Sequence, residues 1–208
     1  MQEADNQSYG VSRLLAFSDG VFAFAITLLV LTLPYPALSA SISARQFFAQ
    51  LLTLKYSFLS YLFSFYITGL FWLAHHRYFR FIIKFDTGLF VINLTLLLFV
   101  AFLPFPTYLL GHYGSTSIVV AFYAGTLSLM NVLFLLLWWY ATSHHRLIPP
   151  TLEKDVISYE RLRRLVQLSI FVISIGLALI HPFLAEAAWI TVFFVPMGIR
   201  KYTRKGDE

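Results

Sequence analysis

Residues 13–31 read RLLAFSDGVFAFAITLLVL, an apolar stretch that contains one carboxylate, Asp19. An ionised side chain on a helix in hydrocarbon costs roughly 2.5 to 3.5 kcal/mol even on the mildest insertion scale. A membrane helix that carries Asp19 therefore needs a partner for the carboxylate. We expect this helix to hold the residues on which function depends.

The composition is that of a membrane protein. Of the 208 residues, 59% are hydrophobic and 12% are charged, whereas soluble domains have roughly 45–50% and 25%. The chain has no cysteine, which excludes disulfides, thiolate catalysis and thiolate metal sites. These values place the chain in a bilayer.

A membrane-spanning helix needs about 20 predominantly apolar residues, and the sequence predicts six of them. The predicted spans are residues 13–33, 52–74, 88–110, 117–141, 164–181 and 183–199. The expected fold is an all-α integral membrane protein with one domain, residues 1–208. His181-Pro182 leaves room only for a tight hairpin between the last two spans. Residues 39–50 and 144–160 are each long enough for a short helix outside the membrane.

The basic residues lie mainly on one side of these spans. With both termini cytoplasmic, the outer side holds only Arg45 and Lys55 of the fifteen Lys and Arg residues. The inner side holds Arg13, Arg77, Arg80, Lys84, Arg146, Lys154, Arg161, Arg163, Arg164, Arg200, Lys201, Arg204 and Lys205. This division follows the positive-inside rule. We therefore interpret the run from Arg161 to Arg164 as a topology signal and expect no nucleic-acid partner.

The first helix has one distinct face. On a wheel of about 100° per residue, a single stripe within roughly 40° of Phe24 contains Arg13, Phe17, Gly20, Phe24, Leu28 and Leu31. We call this the α1 stripe, with Thr27 at its edge, about 60° from Phe24. Ser18 and Asp19 fall at about 120° and 220° on the same wheel. Asp19 therefore points away from the stripe, and its partner should come from another span.

The second and third spans offer that partner. The candidates at the same expected depth are Trp72, His75, His76 and Arg77, with Asn93 at the start of the next span. Indole, imidazole, guanidinium and amide groups can all donate hydrogen bonds to a carboxylate. We expect a polar network that holds helices together. A proton relay is the less favoured interpretation, because the sequence has no chain of acidic residues across the membrane.

Signatures of enzymes and metal sites are weak. Adjacent histidines, such as His75-His76 and His144-His145, point about 100° apart on a helix and cannot share a metal as an i, i+4 pair does. Ser18 has no Gly-x-Ser-x-Gly frame around it. The sequence therefore predicts no metal site, no cofactor and no enzymatic activity.

The pattern Arg-x-x-x-Phe-Ser-Asp-Gly of residues 13–20 resembles the signature of the transmembrane protein 175 potassium channels. Residues 72–76 and 93–107 are also similar to that family, so the resemblance covers nearly the whole chain. It implies a homotetramer in the plasma membrane, permeable to potassium and other monovalent cations. It further implies a central pore lined by the first span of each subunit, without a Thr-Val-Gly-Tyr-Gly filter.

Carried over by position, the resemblance places apolar pore layers at Phe24, Leu28 and Leu31 and a polar pore residue at Thr27. The narrowest layer of the family is usually Ile or Leu, so Phe24 is a departure that puts conductance in question. The structural polar network would comprise Arg13, Ser18, Asp19, Trp72, His75, His76 and Asn93.

Three other functions are compatible with the composition. A secondary transporter would couple protons through Asp19 and His75 or His76, but such proteins usually have internal repeats, which the sequence lacks. A membrane scaffold would transport nothing. A membrane enzyme is the least favoured, because no nucleophile and base pair is evident.

Overall fold

The computed structural model describes residues 2–36 and 41–194, with side chains from residue 7 onward, and every regular element in these ranges is helical. The helices are α1 (Gln2–Leu28, continued as 3₁₀ over Leu29–Thr32), α2 (Ala44–Thr53), α3 (Lys55–Phe81), α4 (Thr87–Phe102), α5 (Pro104–Tyr113), α6 (Ser117–Thr142), α7 (Lys154–Ile180) and α8 (Pro182–Trp189, continued as 3₁₀ over Ile190–Phe193).

Five helical segments are long and apolar enough to cross a membrane. They are Gln7–Thr32, Lys55–Phe81, Thr87–Tyr113, Ser117–His145 and Lys154–Ile180, and they correspond to the first five predicted spans. The apolar segment Pro182–Phe193 is shorter, and the rest of the predicted sixth span, residues 195–199, lies outside the described residues. The chain is thus a multi-pass membrane protein, while six spans and two cytoplasmic termini stay predictions.

Two prolines divide the third span. Pro104 and Pro106 lack the backbone N–H that a continuous helix needs, and α5 begins at Pro104 directly after Leu103. Leu103 keeps helical angles, and Thr107 N still donates to Leu103 O at 3.2 Å. The result is two consecutive helices, α4 and α5, that cross the membrane together.

The segment before the fifth span differs from its prediction. Residues 144–160 are long enough for a short helix outside the membrane, but α7 already begins at Lys154 and continues unbroken to Ile180. The polar residues of its first turns face the protein core at helical spacing, as Glu160, Arg163, Arg164 and Gln167 are all buried. Charged residues usually mark a solvated segment, and here they form part of the packing.

These buried charges join α7 to α3 and α6. Glu160 pairs with Arg77 at 3.3 Å. Arg164 donates to Asn131 Oδ1 at 3.3 Å and Gln167 Oε1 at 3.1 Å, and its guanidinium lies 4.2 Å from the centre of the Phe134 ring. A buried guanidinium is tolerated only when acceptors and ring faces replace its water. These contacts fix the orientation of α7 about its own axis relative to α3 and α6.

The Arg77–Glu160 pair should therefore matter for stability. Breaking a buried ion pair costs about 3 kcal/mol or more, and partial exposure of Arg77, 21%, makes about 2 kcal/mol a reasonable expectation for Glu160→Gln. The measurement is the temperature at which half of the detergent-solubilised protein aggregates. Arg161→Gln, an exposed change on the same helix, is the control. Equal stability of E160Q and R161Q would contradict the expectation.

Candidate functional site

A buried chain of hydrogen bonds anchors α1 to α3 and α4. Asn93 Nδ2 donates to Ser18 Oγ at 2.9 Å, and Asn93 Oδ1 lies 2.7 Å from His75 Nε2. All three side chains have no exposed surface. We call Ser18, His75 and Asn93 the buried polar network. The donor and acceptor of each hydrogen bond in the network are defined. Ser18 Oγ donates its proton to Leu14 O at 2.8 Å, so it accepts from Asn93 Nδ2. Because an amide oxygen only accepts, His75 Nε2 carries the proton in the bond to Asn93 Oδ1.

Aromatic rings hold the imidazole in place. His75 stacks on Phe79 with 4.3 Å between ring centroids, and Phe22 of α1 lies at 5.5 Å on a tilted plane. A side chain packed in this way has little rotational freedom, so its hydrogen bond to Asn93 keeps one geometry. The neighbouring residues of α3 and α1 therefore support the network as well as enclosing it.

Asp19 is bound beside this network. Trp72 Nε1 donates to Asp19 Oδ1 at 2.8 Å, a charge-assisted bond to a half-buried carboxylate. The partner comes from α3, as the helical wheel predicted. Trp72 in turn lies 5.8 Å from the His76 ring, centroid to centroid. The indole thus connects the carboxylate of α1 to the same turn of α3 that holds His75.

Two residues expected in the cluster lie elsewhere. Arg13 was assigned to the polar network, but it is exposed, and its guanidinium carbon lies 5.6 Å from the centre of the Tyr9 ring on its own helix. Arg77 was a candidate donor to Asp19 and pairs instead with Glu160. Both outcomes follow from the helix faces on which the two residues lie. Arg13 is on the α1 stripe, away from Asp19, and Arg77 is two residues past His75 and therefore points to another side of α3.

The two sides of α1 differ in burial. One side packs against the rest of the protomer through Val11, Leu14, Ser18, Phe22, Ala25 and Leu29, each less than 9% exposed. On the opposite side Phe17, Phe24 and Leu31 are 51%, 66% and 61% exposed, Thr27 is exposed and Leu28 is half-buried. The α1 stripe is therefore largely uncovered within one protomer.

The end of α1 aligns two residues of the α1 stripe more closely than an ideal α-helix would. Residues Leu29–Thr32 form a 3₁₀ turn, in which side chains three apart lie over one another. Leu28 and Leu31 therefore project in nearly the same direction. The helical wheel assumed α-helical geometry over the whole segment. The sequence alone gave no indication of the 3₁₀ turn.

Thr27 has a defined hydroxyl orientation. Its Oγ1 donates to Phe24 O at 2.8 Å, so the hydroxyl proton is used within the helix. A hydroxyl has two acceptor lone pairs besides its single proton. Thr27 thus presents an oxygen acceptor on the exposed side of α1.

Comparison with known proteins places this arrangement in a family. A family model described as the endosomal/lysosomal potassium channel TMEM175 matches residues 13–104. A potassium channel of Streptomyces collinus is 31% identical over 180 residues, which cover 85% of this chain and 86% of that protein. A potassium channel of Chamaesiphon minutus is 36% identical over 160 residues, covering 76% and 78%.

A solved structure agrees with these relatives. The crystal structure of a lysosomal potassium-selective channel TMEM175 homolog from Chamaesiphon minutus matches with a TM-score of 0.79 and 28% identity, covering 91% of this chain and 97% of that one. The fold and the site define a multi-pass α-helical membrane protein with an anchored first helix. The chain belongs to the TMEM175 potassium channel family. The resemblance noted from the sequence is thereby confirmed, as is its non-enzymatic class.

The anchor of α1 is testable through Asn93. Asn93→Ala leaves the buried His75 N–H without an acceptor and removes the donor to Ser18 Oγ, which keeps its bond to Leu14 O. Each of these losses costs about 1–3 kcal/mol. We expect N93A to lose about 3 kcal/mol of stability, seen as a large drop in the melting temperature of the detergent-solubilised protein. Thr95→Ala is the matched control, since Thr95 is half-buried and its hydroxyl bonds to Val91 O of its own helix. Equal melting temperatures for N93A and T95A would refute the anchoring role.

Proposed function

We propose that this chain forms a homotetrameric potassium-permeable channel in the plasma membrane, with both termini in the cytoplasm. Four copies of α1 surround a central pore, and the α1 stripe lines it. The observation that carries the proposal is that Phe24, Thr27 and Leu31 are uncovered on the side of α1 opposite the buried polar network. The names of the Streptomyces and Chamaesiphon relatives supply the permeant ion.

The geometry favours an axial position for the stripe over a lipid-facing one. Symmetric oligomers bury the same surface from each copy, and a pore needs a face that its own subunit does not cover. Besides its apolar positions, Phe17, Phe24, Leu28 and Leu31, the stripe includes Gly20 and has Thr27 at its edge. The Thr27 hydroxyl and Gly20, which has no side chain, contribute little to a contact with lipid. In a pore, both leave room for water.

The proposed pore selects by dehydration. Apolar rings at Phe24, Leu28 and Leu31 cannot replace the water of an ion with fixed oxygens, so a narrow ring obstructs by dewetting. Potassium releases its water more readily than sodium and passes such a constriction more easily. The preference should therefore be weaker than that of a carbonyl-lined filter.

Thr27 adds oxygen ligands between the apolar layers. Its proton is engaged by Phe24 O at 2.8 Å and its side chain is exposed, so the oxygen lone pairs are free to accept. Four such oxygens around an axis would partly replace the water that a cation loses on passing the neighbouring apolar rings. We assign Thr27 a selectivity role on this basis.

The first test concerns the constriction. Phe24→Ala or Leu28→Ala widens the proposed apolar layers, and a barrier lowered by about 1.4 kcal/mol raises flux about tenfold. The measurement is potassium flux into liposomes that contain the purified protein. Ile173→Ala, a change at a residue of α7 that is 60% exposed, should leave flux unchanged. If neither F24A nor L28A changes flux or ion preference, α1 does not line the pore.

The second test concerns Thr27. Thr27→Val keeps the shape of the side chain but removes the oxygen, so the potassium to sodium ratio should fall roughly 2- to 5-fold, about 1 kcal/mol or less. The ratio comes from reversal potentials in planar bilayers under opposed potassium and sodium gradients. Thr95→Val is the control on α4. An unchanged ratio in T27V would remove Thr27 from the selectivity mechanism.

The same recordings separate a channel from the transporter alternative. A proton-coupled transporter would saturate with substrate and depend on a proton gradient, whereas a channel gives discrete openings. In the described residues, the bond from His75 leads to Asn93 and not to Asp19. No contact thus favours the transporter, and we do not propose it as a second function.

A further inference from the structure

A pocket lies beyond the C-terminal end of α6, far from the α1 stripe in the sequence. Its lining residues are Trp139, Tyr140, Ser143, His144 and Arg146, and its volume is about 350 Å³. We call it the interfacial pocket. Pockets that hold small molecules or headgroups begin at roughly 300 Å³, so the space suits a compact polar group.

The backbone around the pocket is strained and firmly held. His144 and His145 both have positive φ, 53° and 52°, a conformation that costs a non-glycine residue about 1 kcal/mol or more. The turn persists because Leu147 N donates to Ala141 O at 3.0 Å, and Leu147 O accepts from Ile83 N at 2.8 Å and Lys84 N at 3.3 Å. These bonds place His144 and Arg146 beside the last turn of α6.

Arg146 is oriented but not enclosed. Its Nε lies 3.3 Å from Asp86 Oδ2, and its guanidinium carbon lies 4.4 Å from the centre of the Tyr140 ring. Tyr140 donates to the same Asp86 oxygen at 2.9 Å, and Gly88 permits this because a Cβ there would overlap the Tyr140 hydroxyl. The Arg146 side chain nevertheless remains 55% exposed, so it can accept a further anionic partner.

Among the described residues, the lining of the pocket contains a positive charge and no carboxylate. Arg146 is the charged residue of the lining, and His144 and Ser143 add hydrogen-bonding groups. Arginine binds phosphate through several donors at once. Trp139 forms an exposed aromatic wall, a side chain that prefers the boundary between hydrocarbon and water.

An apolar path leads from this pocket along α6. Leu129, Val132, Leu136 and Trp139 are 40%, 44%, 40% and 60% exposed, and their spacing of three and four residues puts them on one face of the helix. Ser143 of the pocket continues the same face by four residues. A phosphate placed in the pocket would therefore have a hydrophobic strip directly adjoining it.

We infer that the interfacial pocket binds the phosphodiester headgroup of an anionic phospholipid, whose acyl chains lie along the exposed face of α6. Arg146 and His144 contact the phosphate, and Trp139 packs against the glycerol region. Free phosphate carries the same charged group as the lipid headgroup, but it has no acyl chains to contact the strip from Leu129 to Trp139. The strip is what favours a lipid over a soluble phosphate compound.

The experiment measures ligand binding to the purified full-length protein by native mass spectrometry in a mild detergent. The probes are dioctanoyl phosphatidylglycerol, dioctanoyl phosphatidylcholine and inorganic phosphate. We expect phosphatidylglycerol to bind more tightly than either of the others. Arg146→Gln should weaken it about tenfold, and Trp139→Ala about threefold or more, because each removes one part of the contact.

Two control variants make the result specific. Ile173→Ala changes an exposed apolar residue of α7 outside the pocket, so it should bind phosphatidylglycerol normally. Arg161→Gln removes an exposed basic residue at the start of α7 and should also bind normally. Melting temperatures measured on the same samples detect a variant that fails to fold. If Arg146→Gln does not fold, Trp139→Ala, a change at an exposed position, provides the test of the site.

Several outcomes would overturn the inference. Unchanged affinity in both R146Q and W139A removes the site. An equal loss in R161Q and R146Q indicates unspecific attraction to a basic surface, and an equal loss in I173A and W139A indicates unspecific attraction to apolar surface. Inorganic phosphate that binds as tightly as phosphatidylglycerol would mean that the ligand is a soluble phosphate and not a lipid.

Discussion

The structure depends on the need to satisfy buried polar groups where no water is present. Ser18, Asn93 and His75 have no exposed surface, and an unpaired polar group in such surroundings costs several kcal/mol. Three helices must therefore approach in the one arrangement that joins Ser18 Oγ, the Asn93 amide and His75 Nε2. Apolar packing alone tolerates small rotations of a helix, whereas the bond between Asn93 Nδ2 and Ser18 Oγ, 2.9 Å long, does not.

This constraint determines which side of α1 is left uncovered. Ser18 lies about 120° from Phe24 on the helical wheel, so directing Ser18 at Asn93 turns Phe24 outward. The Trp72–Asp19 bond, 2.8 Å, fixes α1 at a second point on another side of the helix. It therefore prevents α1 from rotating about the contact between Ser18 and Asn93. An acid in the membrane thus has a mechanical effect even without proton transfer. The proposed pore surface is a consequence of how the opposite face is bound.

Much of this arrangement could be predicted from residues 13–31 and 72–93, because helical periodicity and the cost of a buried carboxylate restrict the choices. The partner of Asp19 was predictable in kind, and Trp72 was among the candidates. The early start of α7 at Lys154 was not, since Glu160, Arg163 and Arg164 have the composition of a solvated segment. The 3₁₀ turn at Leu29–Thr32 and the left-handed pair His144-His145 depend on tertiary contacts, which no local pattern reports.

The position of the anchor also limits where α1 can move. Phe24 is five residues beyond Asp19, or about 8 Å along the helix axis at 1.5 Å per residue. Beyond the anchor, α1 packs through apolar side chains such as Phe22, Ala25 and Leu29, and the hydroxyls of Thr27 and Thr32 bond to their own helix. Apolar contacts slide at lower cost than hydrogen bonds break. A gating motion in this channel should therefore displace Phe24, Leu28 and Leu31 while the turn that contains Ser18 and Asp19 stays in place.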